Sequence, residues 1–137
     1  MVKDWLQISS DKLVESANQT IYMIGWSLFF GMLLAIPLGL AMTLCRKGGL
    51  KENLVVFWII NGIVNIVRSV PFVILLVFIA PVTKIIVGTR IGTTAAIVPL
   101  VLYISPYLAR LIEASLLEVK SSVLEAAQAM GASPLQI

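Results

Sequence analysis

The sequence contains no histidine and a single cysteine, Cys45. One cysteine excludes a disulfide within the chain, and without histidine no metal cluster can be assembled from what remains. Cys45 reads as a small apolar filler near a helix end. The commonest general base is missing, and neither aspartate, Asp4 or Asp11, falls within an apolar run. An intramembrane enzyme would therefore lack both a base and a ligand set. Charge is scarce too: 12% of residues are charged, against about a quarter in soluble domains. The net charge of +3, from ten basic and seven acidic residues, is too small and too scattered for a nucleic-acid footprint. Residues 1–7 lack the basic segment and short apolar core of a signal peptide, and no lipidation motif is present. Insertion is expected to use the spanning segments themselves.

What the sequence has in abundance is apolar surface. Hydrophobic residues make up 59% of the chain, and the mean hydropathy is +1.00. A water-soluble core of this size could not hide so much. The expected fold is all-α, an integral membrane helical bundle with three transmembrane helices. Their expected extents are about 21–45, 54–80 and 91–112.

Residues 1–20 mix Trp5, Leu6, Ile8, Leu13, Val14 and Ala17 with Lys3, Asp4, Asp11, Lys12 and Glu15. Either a helix lying on the membrane surface or a polar lead-in that frays fits this pattern. No charge occurs from Ile21 to Cys45, about 37 Å of helix and enough to cross a ~30 Å hydrocarbon core. Ser27, Gly31, Ala35, Gly39 and Thr43 fall four apart, a spacing that lets a neighbouring helix approach closely. Small residues are also simply common in such helices, but a register of five favours packing through Gly31, Ala35 and Gly39. Pro37 lies inside the stripe and is expected to kink the helix.

The loop from Arg46 to Asn53 carries three basic residues and Gly48-Gly49, and the positive-inside rule places it in the cytoplasm. The first span then runs from outside to inside. The run from Leu54 to Ala80 holds Asn61, Asn65 and Arg68-Ser69-Val70-Pro71. Arg68 could line a pathway or sit in a buried network. It could also snorkel to the inner headgroups, with the spanning part starting near Val70. Nothing acidic lies within the run to pair with it, which favours a structural role. Pro81 to Arg90 is expected to be an outer loop. Ile91 to Ala109 is just long enough to span, and its Pro99 and Pro106 free backbone groups that neighbours must satisfy. Arg110 ends this run and is a second candidate for a pathway or structural role, with Ser69 and Pro71 beside Arg68. Residues 113–137 are then expected in the cytoplasm and the N-terminus outside.

The end of the chain is built differently. Ser122-x-x-Glu125 has the pattern of a capping box, a helix over Val123–Met130 follows, and Gly131 suits the left-handed position that stops it. Ser133-Pro134-Leu135-Gln136 reads as a second start signal. Val123, Leu124, Ala127 and Met130 share one helical face. Such a helix buries that face in a groove of its own protein or a partner, or lies as a linker on the inner surface.

Glu125-Ala126-Ala127-x-x-x-Gly131 resembles the EAA loop of bacterial ATP-binding-cassette importer permeases. Arg68-Ser69-Val70-Pro71-Phe72 is similar to the Arg-x-x-Pro stretch of the amino-acid type, and Ala109 to Glu118 resembles the segment leading into that family's loop. Residues 66–77, Ile86 to Gly92, Ala95 to Leu100 and Gly131 to Ile137 look closest to the methionine-uptake branch, which takes D- and L-methionine. The resemblance covers essentially the whole chain. It implies a type I permease domain whose coupling helix, about 122–131, docks into a cytoplasmic ABC ATPase subunit through Glu125, Ala126, Ala127 and Gly131. It implies a homodimer with a second permease copy, an extracytoplasmic substrate-binding protein, and a bacterial inner-membrane location surrounded by lipid. The chain itself would be a transport subunit without a cofactor, with ATP bound and hydrolysed by the partner. Two alternatives are a permease for another polar amino acid and a truncated, non-functional fragment. A channel or scaffold subunit without an energy partner is a further reading. The family core has five spans and its loop continues past this glycine towards an Ile-x-Leu-Pro element. With three spans ending at Ile137, residues 1–137 are expected to form a single permease domain that is C-terminally incomplete.

Overall fold

The computed structural model describes the backbone of Val2–Ile137 and the side chains from Ser9 onward. Among the described residues all regular structure is helical: α1 (Val2–Cys45), α2 (Leu54–Ser69), α3 (Phe72–Val87), α4 (Thr93–Leu117) and α5 (Ser121–Ala129). The segment Ser9–Cys45 and helix α4 are each long and apolar enough to cross a membrane. Helices α2 and α3 pass the same test only together, as one broken span or a re-entrant pair, which would make three.

Helix α1 does not begin at the apolar stretch. Its backbone runs from Val2 into that stretch with no glycine or proline to interrupt it, so neither a separate surface helix nor a frayed lead-in forms. The side chains of Lys3, Asp4, Trp5, Leu6 and Ile8 lie outside the described residues. Those from Ser9 to Thr20 are all exposed. Farther along, α1 continues through Pro37 as one helix.

The apolar run from Leu54 is two helices. Proline at 71 has no N–H to donate and pushes the residue before it out of the helical region. Val70 is accordingly extended (φ −82°, ψ 127°) and closes α2. Helix α3 then starts on the Pro71 carbonyl, which accepts from the N–H groups of Ile74 (3.0 Å) and Leu75 (3.1 Å). The outer loop expected over Pro81–Arg90 is corrected. Pro81 sits inside α3, which ends at Val87 where left-handed Gly88 (φ 88°) caps it by donating to the Lys84 carbonyl (2.8 Å). Val82, Ile85, Ile86 and Val87 prolong the apolar surface, and a helix satisfies their backbone groups where an open loop would not. For the same reason α4 passes through Pro99 and Pro106 and extends to Leu117, beyond the expected 112.

The chain divides into two compact units. The first comprises Met1–Gly31 and Pro71–Ile104. Its interior holds Leu75, Thr83, Ala95 and Ile97, and Phe72 meets Tyr103 edge-on at 5.3 Å. Its exterior is greasy: Val73, Phe78 and Ile85 are 71%, 79% and 83% exposed, a surface suited to lipid or to further protein. The second unit comprises Met32–Val70 and Ser105–Ile137, with Ala35, Met42, Val64 and Ala109 at its centre.

The stripe of small residues is where α1 is buried. Ser27, Gly31, Ala35 and Gly39 are all buried on a helix whose large residues are mostly exposed. Gly39 marks the tightest approach. A Cβ placed there would stand 2.8 Å from Ile112 Cγ2 and 3.0 Å from the Ala109 carbonyl oxygen, so α1 and α4 touch through backbone in the second unit. A Cβ at Gly25 would meet nothing within 4 Å. Gly39→Val is therefore expected to cost about 1–3 kcal/mol through overpacking and to lower the unfolding midpoint in detergent. Gly25→Val leaves that midpoint near the wild-type value, and a scanning-fluorimetry comparison of the two checks the contrast.

Candidate functional site

Two features stand apart from the apolar bundle, and both belong to the second unit. The first is α5 with the turn that follows. Helix α5 starts at Ser121, two residues earlier than the Ser122 capping box would place it, and this corrects that expectation. Lys120 occupies the N-cap position, with no side-chain hydrogen bond there, and Val123 N–H donates to the Lys120 carbonyl (3.0 Å). Ser122 thus lies inside the first turn, where its hydroxyl cannot cap. Glu125 is exposed on the helix surface.

The C-terminal end closes as the sequence implies. Gly131 has φ +83°. Its N–H donates to the Gln128 carbonyl (2.9 Å), and Ala132 N–H reaches the Ala127 carbonyl (3.1 Å). These are the two bonds of a Schellman motif, and an L side chain at the left-handed position would strain it. Beyond it, the Ser133 N–H donates to Gln136 Oε1 (2.9 Å) while the Gln136 N–H donates to the Ser133 carbonyl (2.9 Å). Half of the second capping box is therefore made, as a turn over Pro134–Gln136. Leu124 and Ala127 are half-buried, and Ala126 is exposed. Val123 (58%), Met130 (83%) and Leu135 (99%) expose apolar surface around the corner. A nine-residue helix with no buried residue, followed by a corner that leaves Met130 and Leu135 in the open beside Val123, is a shape that seats into something else.

The second feature is a polar cluster centred on Glu113 of α4. This carboxylate is only 3% exposed. It accepts from Arg110 Nη1 at 2.8 Å, one turn back on the same helix, and from Arg46 Nη1 at 3.3 Å, just past the end of α1. Arg110 Nη2 donates to Asn61 Oδ1 and, at 2.9 Å, to Asn65 Oδ1, both on α2. A buried carboxylate is costly unless paired and hydrogen-bonded, and here two guanidiniums converge on it. Arg110 is the stronger partner, because its side chain is 24% exposed against 45% for Arg46 and is less screened by solvent. Each residue type fits its place. Asparagine offers an amide oxygen, and the planar guanidinium can serve a carboxylate and two such oxygens at once.

The remaining candidates do not join this cluster. Arg68 is exposed in the last turn of α2 and makes no hydrogen bond or ion pair among the described residues. Ser69 Oγ donates to the Ile66 carbonyl (2.8 Å), and Pro71 starts α3. The buried network therefore forms on Arg110. Glu113, Asn61, Asn65 and Arg46 were missing from the candidate residues. Spacing marks three of them as candidates, though not as partners of one another across helices: Asn61-x-x-x-Asn65 and Arg110-x-x-Glu113 each put two polar groups on one helical face in otherwise apolar runs, while nothing local marks Arg46.

Similarity to known proteins gives the class of this chain. Residues 35–137 match the family model of the binding-protein-dependent transport system inner membrane component, and the chain belongs to that family. It is 52% identical, over 99% of its length, to the probable D-methionine transport system permease protein MetI of Vibrio cholerae serotype O1. It is 44% identical over 91% of its length to the D-methionine transport system permease protein MetI of Escherichia coli K12. These matches cover 60% and 58% of the relatives, so the chain spans less than two thirds of their length. The inward-facing MetNI methionine ABC transporter superposes with a TM-score of 0.89 at 44% identity, covering 91% of this chain and 58% of that one.

Removing one member of a buried ion pair leaves the other uncompensated and costs about 3–5 kcal/mol. Glu113→Ala is expected to destabilise the detergent-solubilised protein by that order, whereas Arg68→Ala leaves its unfolding midpoint unchanged. Denaturant titration of both variants checks this.

Proposed function

We propose that the chain is the permease subunit of an ATP-driven ABC importer that carries methionine, as D- and L-isomers, inward across the bacterial inner membrane. The observation that carries the reading is the exposed α5 corner at the end of a bundle 44–52% identical to D-methionine permeases. In this reading α5 is the coupling helix. Glu125, Ala126 and Ala127 lie against the ATPase subunit, where the two alanines let the partner approach closely. Gly131 supplies the turn that holds the helix at its angle.

ATP binding would draw the two ATPase subunits together. A helix seated in a cleft of each would carry that displacement to the spans, and a rigid-body rearrangement would alternate access. Hydrolysis then belongs to the partner, and no cofactor is assigned to this chain. A second permease copy would complete the pathway, and an extracytoplasmic binding protein would deliver the amino acid. In this reading the basic Arg46–Lys51 loop and residues 113–137 face the cytoplasm and the N-terminus lies outside, which the positive-inside rule supports. The domain is read as one permease unit whose spans are α1, the α2–α3 pair and α4.

The test reconstitutes the protein with its ATPase in proteoliposomes and measures uptake of labelled methionine together with ATP hydrolysis. Wild type is expected to accumulate both isomers. Gly131→Val strains the left-handed turn, and Ala127→Asp puts a charge on the docking face. Both should insert normally yet lose about tenfold or more in uptake, the scale of a coupling free energy of some 1–3 kcal/mol. Undiminished uptake in both variants would remove α5 from the mechanism. Uptake of another amino acid with none of methionine would overturn the substrate.

A further inference from the structure

The ion-pair cluster stands next to α5 in the chain. Glu113 lies in the last turn or so of α4, and only Glu118–Lys120 separate α4 from Ser121, where α5 begins. Any displacement of α5 therefore reaches the C-terminal part of α4 first. What α4 does next depends on how it is held to its neighbours.

The hold is specific. Arg46 Nη1 and Arg110 Nη1 share the Glu113 carboxylate, and Arg110 Nη2 spans to Asn61 and Asn65. Arg46, just past α1, and Arg110 of α4 thus meet at one carboxylate 3% exposed to solvent, and Arg110 ties in α2 through Asn61 and Asn65. One turn earlier on α4, Gly39 brings α1 against Ala109 and Ile112 with no room for a methyl group. Apolar contacts between helices permit sliding, because one methyl replaces another at little cost. A buried carboxylate between two guanidiniums does not: a shift of about an ångström leaves charge unpaired in a poor solvent.

From this we infer that Glu113, with Arg110 and Arg46, is a positioning network that clamps the end of α1, the Asn61–Asn65 turn of α2 and the C-terminal part of α4 together, so that movement of α5 is delivered to these helices without slippage. This rests on the reading of α5 as the coupling helix. Glu113 touches neither substrate nor nucleotide in this scheme; it acts through α4.

The experiment compares wild type with Glu113→Gln, which keeps size and an acceptor oxygen but removes the charge, and with Asn65→Ala, which removes one exposed partner of Arg110. Each is assembled with the ATPase in proteoliposomes, and ATP hydrolysed per methionine transported is measured. The expected result is a ratio raised about threefold to tenfold in Glu113→Gln, with a smaller rise in Asn65→Ala and basal ATPase activity unchanged. A merely structural role would lower the amount of active protein and leave that ratio alone. A second readout is independent of transport. Spin labels at Val55→Cys and Leu117→Cys, in a Cys45→Ser background, report the α2–α4 distance, which should broaden in both variants. Should Glu113→Gln fail to accumulate in the membrane, Asn65→Ala decides alone. A wild-type ratio and an unbroadened distance in the accumulating variants overturn the clamp. Absence of methionine transport in wild type, with the distance still broadened, overturns the proposed function and leaves the clamp standing.

Discussion

Backbone hydrogen bonding without water is the constraint on which this structure depends. Where no solvent can take a free N–H or carbonyl, a helix is kept even at residues that would end it in a soluble protein. Pro37, Pro81 and Pro99 all lie within helices, each with apolar neighbours on both sides, and Pro106 lies between Ser105 and Tyr107. Among the prolines of the apolar runs, Pro71 sits at a break, and the polar pair Arg68-Ser69 stands just before it. Both of those residues are exposed, and the Ser69 hydroxyl returns to the Ile66 carbonyl at the end of α2. The same proline chemistry therefore gives opposite outcomes, according to whether the freed groups have something to bond.

That constraint also explains the contrast between the two ways helices are joined here. Where α1 crosses α4 the contact is a glycine against a neighbouring helix, Gly39 on the Ala109 carbonyl and the Ile112 side chain. Such contacts cost no desolvation and depend on shape alone. At the end of the second unit that carries α5, shape gives way to charge. Glu113 collects two arginines and, through one of them, two asparagines. The first kind of contact packs; the second fixes register, because its partners are few and directional.

Helix α5 completes the scheme from the opposite side of the balance. It has no buried residue, and its C-terminal corner is held by its own backbone bonds and by the left-handed Gly131. The local fold of the corner needs no neighbour, and its apolar side chains remain available. The chain belongs to the family of binding-protein-dependent transport system inner membrane components, and the corner is one of its most exposed apolar elements.

Much was determined by sequence alone. Composition excludes a soluble fold because the apolar surface exceeds any core the chain could bury. The four-residue register of Ser27, Gly31, Ala35 and Gly39 marks the buried side of α1, and Gly131 marks a stop whose geometry is local. The EAA resemblance reached the family. Only tertiary structure decided where charge is spent. Read along the chain, Arg68 interrupts an apolar run and could line a pathway, join a buried network or snorkel to the headgroups, while Arg110 ends a run as a second candidate for a pathway or structural role. In space Arg68 is exposed, while Arg110 faces Asn61, Asn65 and Glu113. Partners 45 to 67 residues apart cannot be inferred from one-dimensional spacing. The ends of α3 and α4 escaped for a related reason: a proline is a breaker only when its surroundings can satisfy what it sets free, and the surroundings are a property of the fold.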